Sequence, residues 1–233
     1  MQQVLAEENE EDSDYSTVPI VCITIPLRLT IQQNNWDCGI SCIAMVLSDD
    51  KLAYFNKHKE DIITEEGIEF NTWTIDLAYL LKKFDLKFKY YTSTIGICPI
   101  YYQHRYYNSL LPNDETRVNK KFENAKRNGI SIVVKILHIS KLIHHLSDCG
   151  PIIVLTNANL LTCDVCNKKG DSVSSVTLPY QGHYVVIVGY SFLTNDILYK
   201  NPSGNHDVCR MSFTQFDSAR HSFGTDDDVI LIF

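Results

Sequence analysis

The hydrophobic period of this chain changes part-way along, and that switch restricts its fold more than any other feature. Up to about residue 128 apolar side chains recur at helical spacing; beyond it they fall into short β-branched runs. CGISCIAMVL (38–47) sets Cys42, Met45 and Val46 on one helical face and is apolar nearly all round, which predicts a buried helix. Trp73, Leu77, Leu80, Leu81 and Phe84 predict a second helix, with Lys82 and Lys83 near the end where the dipole favours cations. Val118, Phe122 and Ala125 carry a third from about Asp114 to Asn128, stopped by Gly129.

In the second half, SIVVKIL (131–137), PIIVLTN (151–157), HYVVIVGY (183–190) and DILYKN (196–201) are bounded by Gly, Pro or Asn and predict strands of one sheet. A short helix capped by Ser140 is expected over Ile139–Leu146, a last helix around Phe213–Arg220, and a final strand over Val229–Phe233. Residues 158–181 form a long loop or β-excursion in this reading. Helices lead and strands follow, so the expected class is α+β, a helical side packed on an antiparallel sheet.

The chain has 233 residues, 45% of them hydrophobic, enough for a real core in one domain over 18–233. Val18 to Thr30 looks like an extended lead-in. Ahead of it lie Glu7, Glu8, Glu10, Glu11, Asp12 and Asp14 with no Lys or Arg, so 1–17 is expected to be a disordered acidic leader. Taking those six charges from the net −7 leaves the body at about −1. A body that neutral has no basic face for phosphates, so no nucleic-acid partner is expected. No apolar run reaches the roughly 18–20 residues that span a bilayer, so no membrane association is expected either. The start lacks the basic and apolar regions of a secretory signal. With eight scattered cysteines this points to reduced thiols in the cytoplasm, shared with the nucleus.

The chemistry concentrates in three places. Cys38 opens a buried helix, where unpaired backbone N–H groups and the dipole are expected to lower a thiol's pKa. Gln32, six residues ahead, is a candidate oxyanion donor beside the Cys38 N–H, with Gln33 as its competitor. His183 stands at the mouth of an otherwise buried strand, positioned yet accessible, as a general base must be. Asn201, before Pro202 at the end of the following strand, is placed to orient the imidazole. Each residue also has an ordinary reading: buried cysteine, strand-end histidine, turn asparagine.

Other clusters carry weaker signals. Asp37 reads as a helix cap. Cys163-x-x-Cys166 is half of a zinc knuckle, and Cys149, Cys209 and His206 add no standard spacing, so no metal or cofactor is expected, these two cysteines being the weak candidates. Tyr101, Tyr102, His104, Tyr106 and Tyr107 read as a surface loop, with a substrate or partner surface as the alternative. Asp226-Asp227-Asp228 reads as a solvated turn.

Q-x5-C with DCG at a helix start, GHYVVIVGY, and an amide followed by Pro resemble the papain-like fold of bacteriocin-processing peptidase domains. The resemblance implies a Cys-His-Asn triad of Cys38, His183 and Asn201 with Gln32 as oxyanion donor. WDCGISCIAMVL, NTWTIDLAYLL, DETRVNKKFENAK, LTCDVC, YQGHYVVIVGY, YKNPS and SFGTDDDVILIF together resemble the eukaryotic guanylyl cyclase domain-containing family, whose name implies formation of cyclic GMP. The residues themselves contain no GxxxxGK[ST] or GxGxxG phosphate loop. Three functions are therefore expected in order: a cysteine hydrolase of amide, isopeptide or related acyl bonds with a peptide or protein substrate; a guanylyl cyclase; an inactive papain-like interaction scaffold.

Overall fold

The computed structural model describes residues 21–163, 166 and 179–233. The acidic leader, residues 18–20 of the lead-in, and 164–165 and 167–178 of the expected loop or β-excursion lie outside the described residues.

Among the described residues the elements follow in the order β1 (Cys22–Thr24), α1 (Cys38–Val46), α2 (Asp49–Glu65), α3 (Thr74–Lys83), β2 (Phe88–Thr92), α4 (Arg105–Asn108), α5 (Leu111–Asn124), β3 (Ile132–Val134), α6 (Ile139–Asp148), β4 (Ile152–Asn157), β5 (Gly182–Ser191), β6 (Asp196–Lys200), β7 (Cys209–Ser212), α7 (Phe213–Arg220) and β8 (Val229–Ile232). Eight strands form one sheet, seven in the order β3-β2-β8-β4-β5-β6-β7 and β1 paired off this path with β5. All pairs are antiparallel except β2 with β3. The fold class is α+β. Both faces of the sheet carry helices: one core joins α1, α2, α3 and α5 to the sheet, and a second lies under α6 and α7.

β5 is the axis of this arrangement. Its first half pairs with β4 and its last three residues with β1, so the two short neighbours share one edge. On the other edge the register with β6 shifts between Ile187 and Gly189, a bulge at Val188. Before the bulge, Tyr184, Val186 and Val188 join the first core while Val185 and Ile187 join the second; after it, Tyr190 has crossed to the second. There the Tyr190 hydroxyl meets Ser147 Oγ of α6 at 2.6 Å. Gly189 is required where β1 crosses, because a Cβ would lie 2.0 Å from the Ile23 carbonyl oxygen.

α1 is buried over its whole length from Cys38 to Met45. Each fully buried Ile or Met there contributes about 1.5–3 kcal/mol through area removed from water. Its first turn is aimed at β5 by the loop before it. Asp37 does not cap α1; its buried carboxylate turns back to accept the backbone N–H groups of Gln33 and Asn34, at 3.2 and 2.9 Å, with Lys59 at 3.5 Å. Ser140 likewise does not cap α6. The cap is His138, whose ring accepts the Ser140 N–H at 3.3 Å. At α7 the sequence signal is complete: Ser212 Oγ accepts the Gln215 N–H at 3.3 Å in a capping box.

Between α3 and α5 lies a half-buried charge network. Asp76 takes the Trp73 N–H at the start of α3 and pairs with Arg117 and, at 2.9 Å, Lys121 of α5. Asp114 pairs with Arg117 at 2.8 Å and accepts the Trp73 indole N–H at 3.0 Å. The network fixes Trp73, which faces the cleft above Cys38.

Candidate active site

Asn201 and His183 come together from adjacent strands. His183 Nε2 lies 2.8 Å from Asn201 Oδ1. The same oxygen accepts the Ser203 backbone N–H at 3.0 Å and the Ser203 hydroxyl at 2.9 Å, a turn that Asn201-Pro202-Ser203 builds locally. A triply engaged amide oxygen can only accept, so Nε2 carries the ring proton and Nδ1 the lone pair. Burial lowers the His183 pKa and the Asn201 bond opposes this, so the ring is neutral near pH 7. Among the described residues Nδ1 has no hydrogen-bond partner, yet it is not one of their sealed, unpartnered polar atoms. The imidazole is thus held in the tautomer a general base needs, by an orienting amide.

Cys38 approaches β5 from the α1 side, beside Tyr184 rather than beside the His183 ring. The backbone N–H dipoles of Tyr184, the residue next to His183, and of Gly39 and Cys38 itself act on its sulfur. These donors favour the thiolate. Burial outweighs them, and Asp37 adds to it, so the pKa of Cys38 is raised where the helix-start argument expected it lowered. No hydrogen bond joins the Cys38 sulfur to the His183 ring among the described residues. By strand alternation His183 lies on the face of Val185 and Ile187, while Tyr184 faces α1 and bonds Thr74 Oγ1 at 2.9 Å.

Gln32 stands beside the Asn201 turn: its backbone N–H donates to the Pro202 carbonyl at 3.0 Å. Its side-chain Nε2 donates to Asn34 O at 2.6 Å rather than standing free, and its Oε1 is buried without a partner.

Above Cys38 opens a cleft of about 400 Å³ lined by Trp36, Phe70, Trp73, Tyr106, Leu155 and Tyr184, among others; His183 does not line it. The tyrosine-rich segment expected as a surface loop supplies part of this wall. Tyr101 and Tyr107 are buried, and Tyr107 and Tyr180 both donate to the Gly224 carbonyl. Gly224 takes a positive φ of 96°, and a Cβ there would press on the Tyr180 ring.

Asp226-Asp227-Asp228 is likewise not a solvated turn. Asp228 is buried against the Tyr90 hydroxyl at 3.0 Å, and the Tyr101 hydroxyl donates to Asp226 at 2.6 Å. Burial raises the pKa of both carboxyls.

With the geometry in place, residues 27–232 match the family described as guanylylate cyclase. The chain belongs to that family. It is 34% identical over 213 residues to "Guanylyl cyclase 1" of Arabidopsis thaliana, an alignment covering 86% of this chain and 73% of the relative. Two solved structures are similar. Xylellain, a cysteine protease from Xylella fastidiosa, is 15% identical with a TM-score of 0.46, over 92% of this chain and 86% of that one. A protein described as a C39-like peptidase from Bacillus anthracis is 18% identical with a TM-score of 0.29, over 41% and 46%. No functional weight is placed on either likeness.

Two contributors to the site escaped the sequence reading. The Tyr184 N–H, which favours the Cys38 thiolate, follows His183 directly, but no side-chain pattern marks a backbone donor. Ser203, 3.4 Å from His183 Nε2 and bonded to Asn201, was legible as the third residue of an Asn-Pro-Ser turn.

Proposed function

We propose that this chain is a thiol-dependent hydrolase of amide or isopeptide bonds in a peptide or protein substrate. Cys38 is the nucleophile, His183 the base, Asn201 its orienting residue, and Gln32 with the Cys38 N–H the oxyanion donor. The observation that supports it most is the neutral His183 ring, fixed through Nε2 by Asn201, next to Tyr184, whose backbone N–H favours the Cys38 thiolate.

In this reading the resting state is a neutral thiol and a neutral imidazole. A substrate carbonyl entering the aromatic cleft draws the Cys38 side chain off the Tyr184 N–H towards Nδ1. The thiol proton passes to Nδ1 as the S–C bond forms, and returns to the leaving amine as the C–N bond breaks. Water then hydrolyses the thioester with His183 again as base. Gln32 Nε2 must exchange Asn34 O for the oxyanion. The walls contributed by Trp36, Phe70, Trp73 and Tyr106 favour an aromatic or long apolar side chain next to the bond cleaved. No described helix is long and apolar enough to cross a membrane. We place the protein in the cytoplasm and nucleus.

Cyclic GMP formation is the second reading, favoured by the family and by the relative's name. It would need carboxylates for divalent metal and cations for the triphosphate. Asp226 and Asp228 are instead committed to tyrosine hydroxyls, and Arg117, Lys121 and Lys200 to carboxylates.

The test incubates wild type, Cys38→Ala and His183→Ala with peptide and ubiquitin-like substrate libraries bearing carboxyl-terminal electrophiles, and separately with GTP plus Mg²⁺ or Mn²⁺. The hydrolase reading expects a Cys38 adduct that disappears in Cys38→Ala and falls at least tenfold in His183→Ala, about 1.4 kcal/mol. Metal-dependent cyclic GMP that persists in Cys38→Ala would overturn it.

A further inference from the structure

Away from Cys38, the fold gathers three other cysteines. Cys163 follows the short helical turn at Ala158–Leu160, Cys166 lies three residues on, and Cys209 begins β7. Their sulfurs all lie within 4.8 Å of one another, Cys163 and Cys209 buried and Cys166 exposed. Cys166 and Cys209 are 3.8 Å apart sulfur to sulfur. A disulfide would hold them at about 2 Å, whereas two thiolates about 2.3 Å from a tetrahedral zinc sit about 3.8 Å apart. The backbone adds a second sign: the Cys166 N–H donates to the Cys163 sulfur at 3.4 Å, closing the turn of a metal-binding knuckle.

In the β6–β7 connection His206-x-x-Cys209 repeats the two-residue spacing of Cys163-x-x-Cys166, with the His206 ring outside the 4.8 Å cluster, so that a turn of its exposed side chain must bring it to the metal. We propose that Cys163, Cys166, Cys209 and His206 form a structural zinc site, one knuckle before the 167–178 segment and one in the β6–β7 connection.

Chemistry and position both favour a cation here. Three thiolates whose sulfurs lie within 4.8 Å of one another repel each other. A divalent ion reverses that repulsion, and binding releases one proton from each thiol. The site would tie the segment after β4 to the start of β7, where the Tyr199 hydroxyl already donates to the Thr162 carbonyl at 3.3 Å. It would also close the base of the 201–209 connection, whose first residue orients His183. This proposal does not depend on the hydrolase reading, since it is read by metal binding alone.

The experiment titrates the reduced, chelator-washed full chain with Co²⁺, then displaces it with Zn²⁺. One equivalent of Co²⁺ should give thiolate charge-transfer bands and the visible spectrum of a tetrahedral ion, both erased by Zn²⁺. Cys38→Ala should bind as wild type does. Cys166→Ser, exposed and so least damaging to folding, should lose at least tenfold in affinity, as should Cys209→Ser if it folds. His206→Ala should bind more weakly with an altered visible spectrum. Zinc should also slow iodoacetamide labelling of Cys166 at least tenfold. No thiolate bands in the folded wild type, or bands unchanged in Cys166→Ser, would overturn the site. Wild-type affinity and spectrum in His206→Ala would remove the fourth ligand as assigned.

Discussion

The two faces of β5 keep opposite kinds of group neutral. Towards α1 and α3 the strand presents Tyr184 to a layer holding Cys38 and Asp228, all acids whose pKa burial raises. Towards α6, α7 and β6 it presents His183, a base whose pKa burial lowers. A thiol that keeps its proton and an imidazole that carries only one are both uncharged. The contrast teaches that a helix N-terminus does not by itself make a thiolate. Three nearby N–H donors compete with nearly complete desolvation, and desolvation is the larger effect.

The largest expected disturbance of this two-faced arrangement is Gly189→Ala, just past the bulge where the faces exchange. A Cβ 2.0 Å from the Ile23 carbonyl must displace β1, and a loss of about 3 kcal/mol is expected. At this size that lowers the melting midpoint by roughly 6–12 °C. A midpoint within 2 °C of wild type would show that β1 is not part of the folded unit.

Cys38 alkylation separates the faces by rate. Iodoacetamide should label Cys38 at pH 7 at least tenfold more slowly than the exposed Cys22, about 1.4 kcal/mol in the barrier. The Cys38 rate should go on rising past pH 9, the ordinary thiol value, because its thiolate forms only above it. Fast labelling with a plateau below pH 8 would restore the low-pKa nucleophile.

On the same face, Asp228→Asn tests the neutral acid. Below the ordinary carboxyl value of 3.8 folded and unfolded chains both hold the proton, and wild type keeps its full stability. As pH rises from there the unfolded chain releases the proton while the folded chain retains it, so wild-type stability falls until the raised folded value is passed. Melting curves from pH 4 to 7 should therefore show the variant gaining on wild type as pH rises. A constant difference would mean that Asp228 is ionised when folded.

The smallest effect belongs to the other face, at the α7 capping box. Ser212→Ala should cost about 1 kcal/mol in chemical denaturation, since it leaves the Gln215 N–H without its acceptor. A neutral result would mean that packing of Phe216 alone holds α7 in place.

How much was legible follows from how local each signal is. The buried start of α1 at Cys38, α3, α6, α7 and strands β4, β5, β6 and β8 were all readable, because periodicity and turn residues act within a few positions. α2 was missed although Ser48, Asp49 and Asp50 mark its start, since only Phe55, Ile62 and Ile63 of its seventeen residues are buried and no continuous stripe forms. β2 and β7, five and four residues long and interrupted by Lys89 and Arg210, were too short and mixed to stand out. The second helical layer was also unseen, because α6 and α7 carry patterns that name a buried stripe but not the face of the sheet they cover.

The sequence by itself determined that Cys38 begins a buried helix, that His183 opens a buried strand, and that Asn201-Pro202 ends the next one. Each depends on neighbours within a few residues. Only the tertiary structure decided that Nε2 of His183 meets Asn201, that Cys38 keeps its proton, and that Cys209 joins Cys163 and Cys166. Register, a one-residue bulge and depth of burial set those outcomes, and all three arise from contacts between segments far apart in the chain.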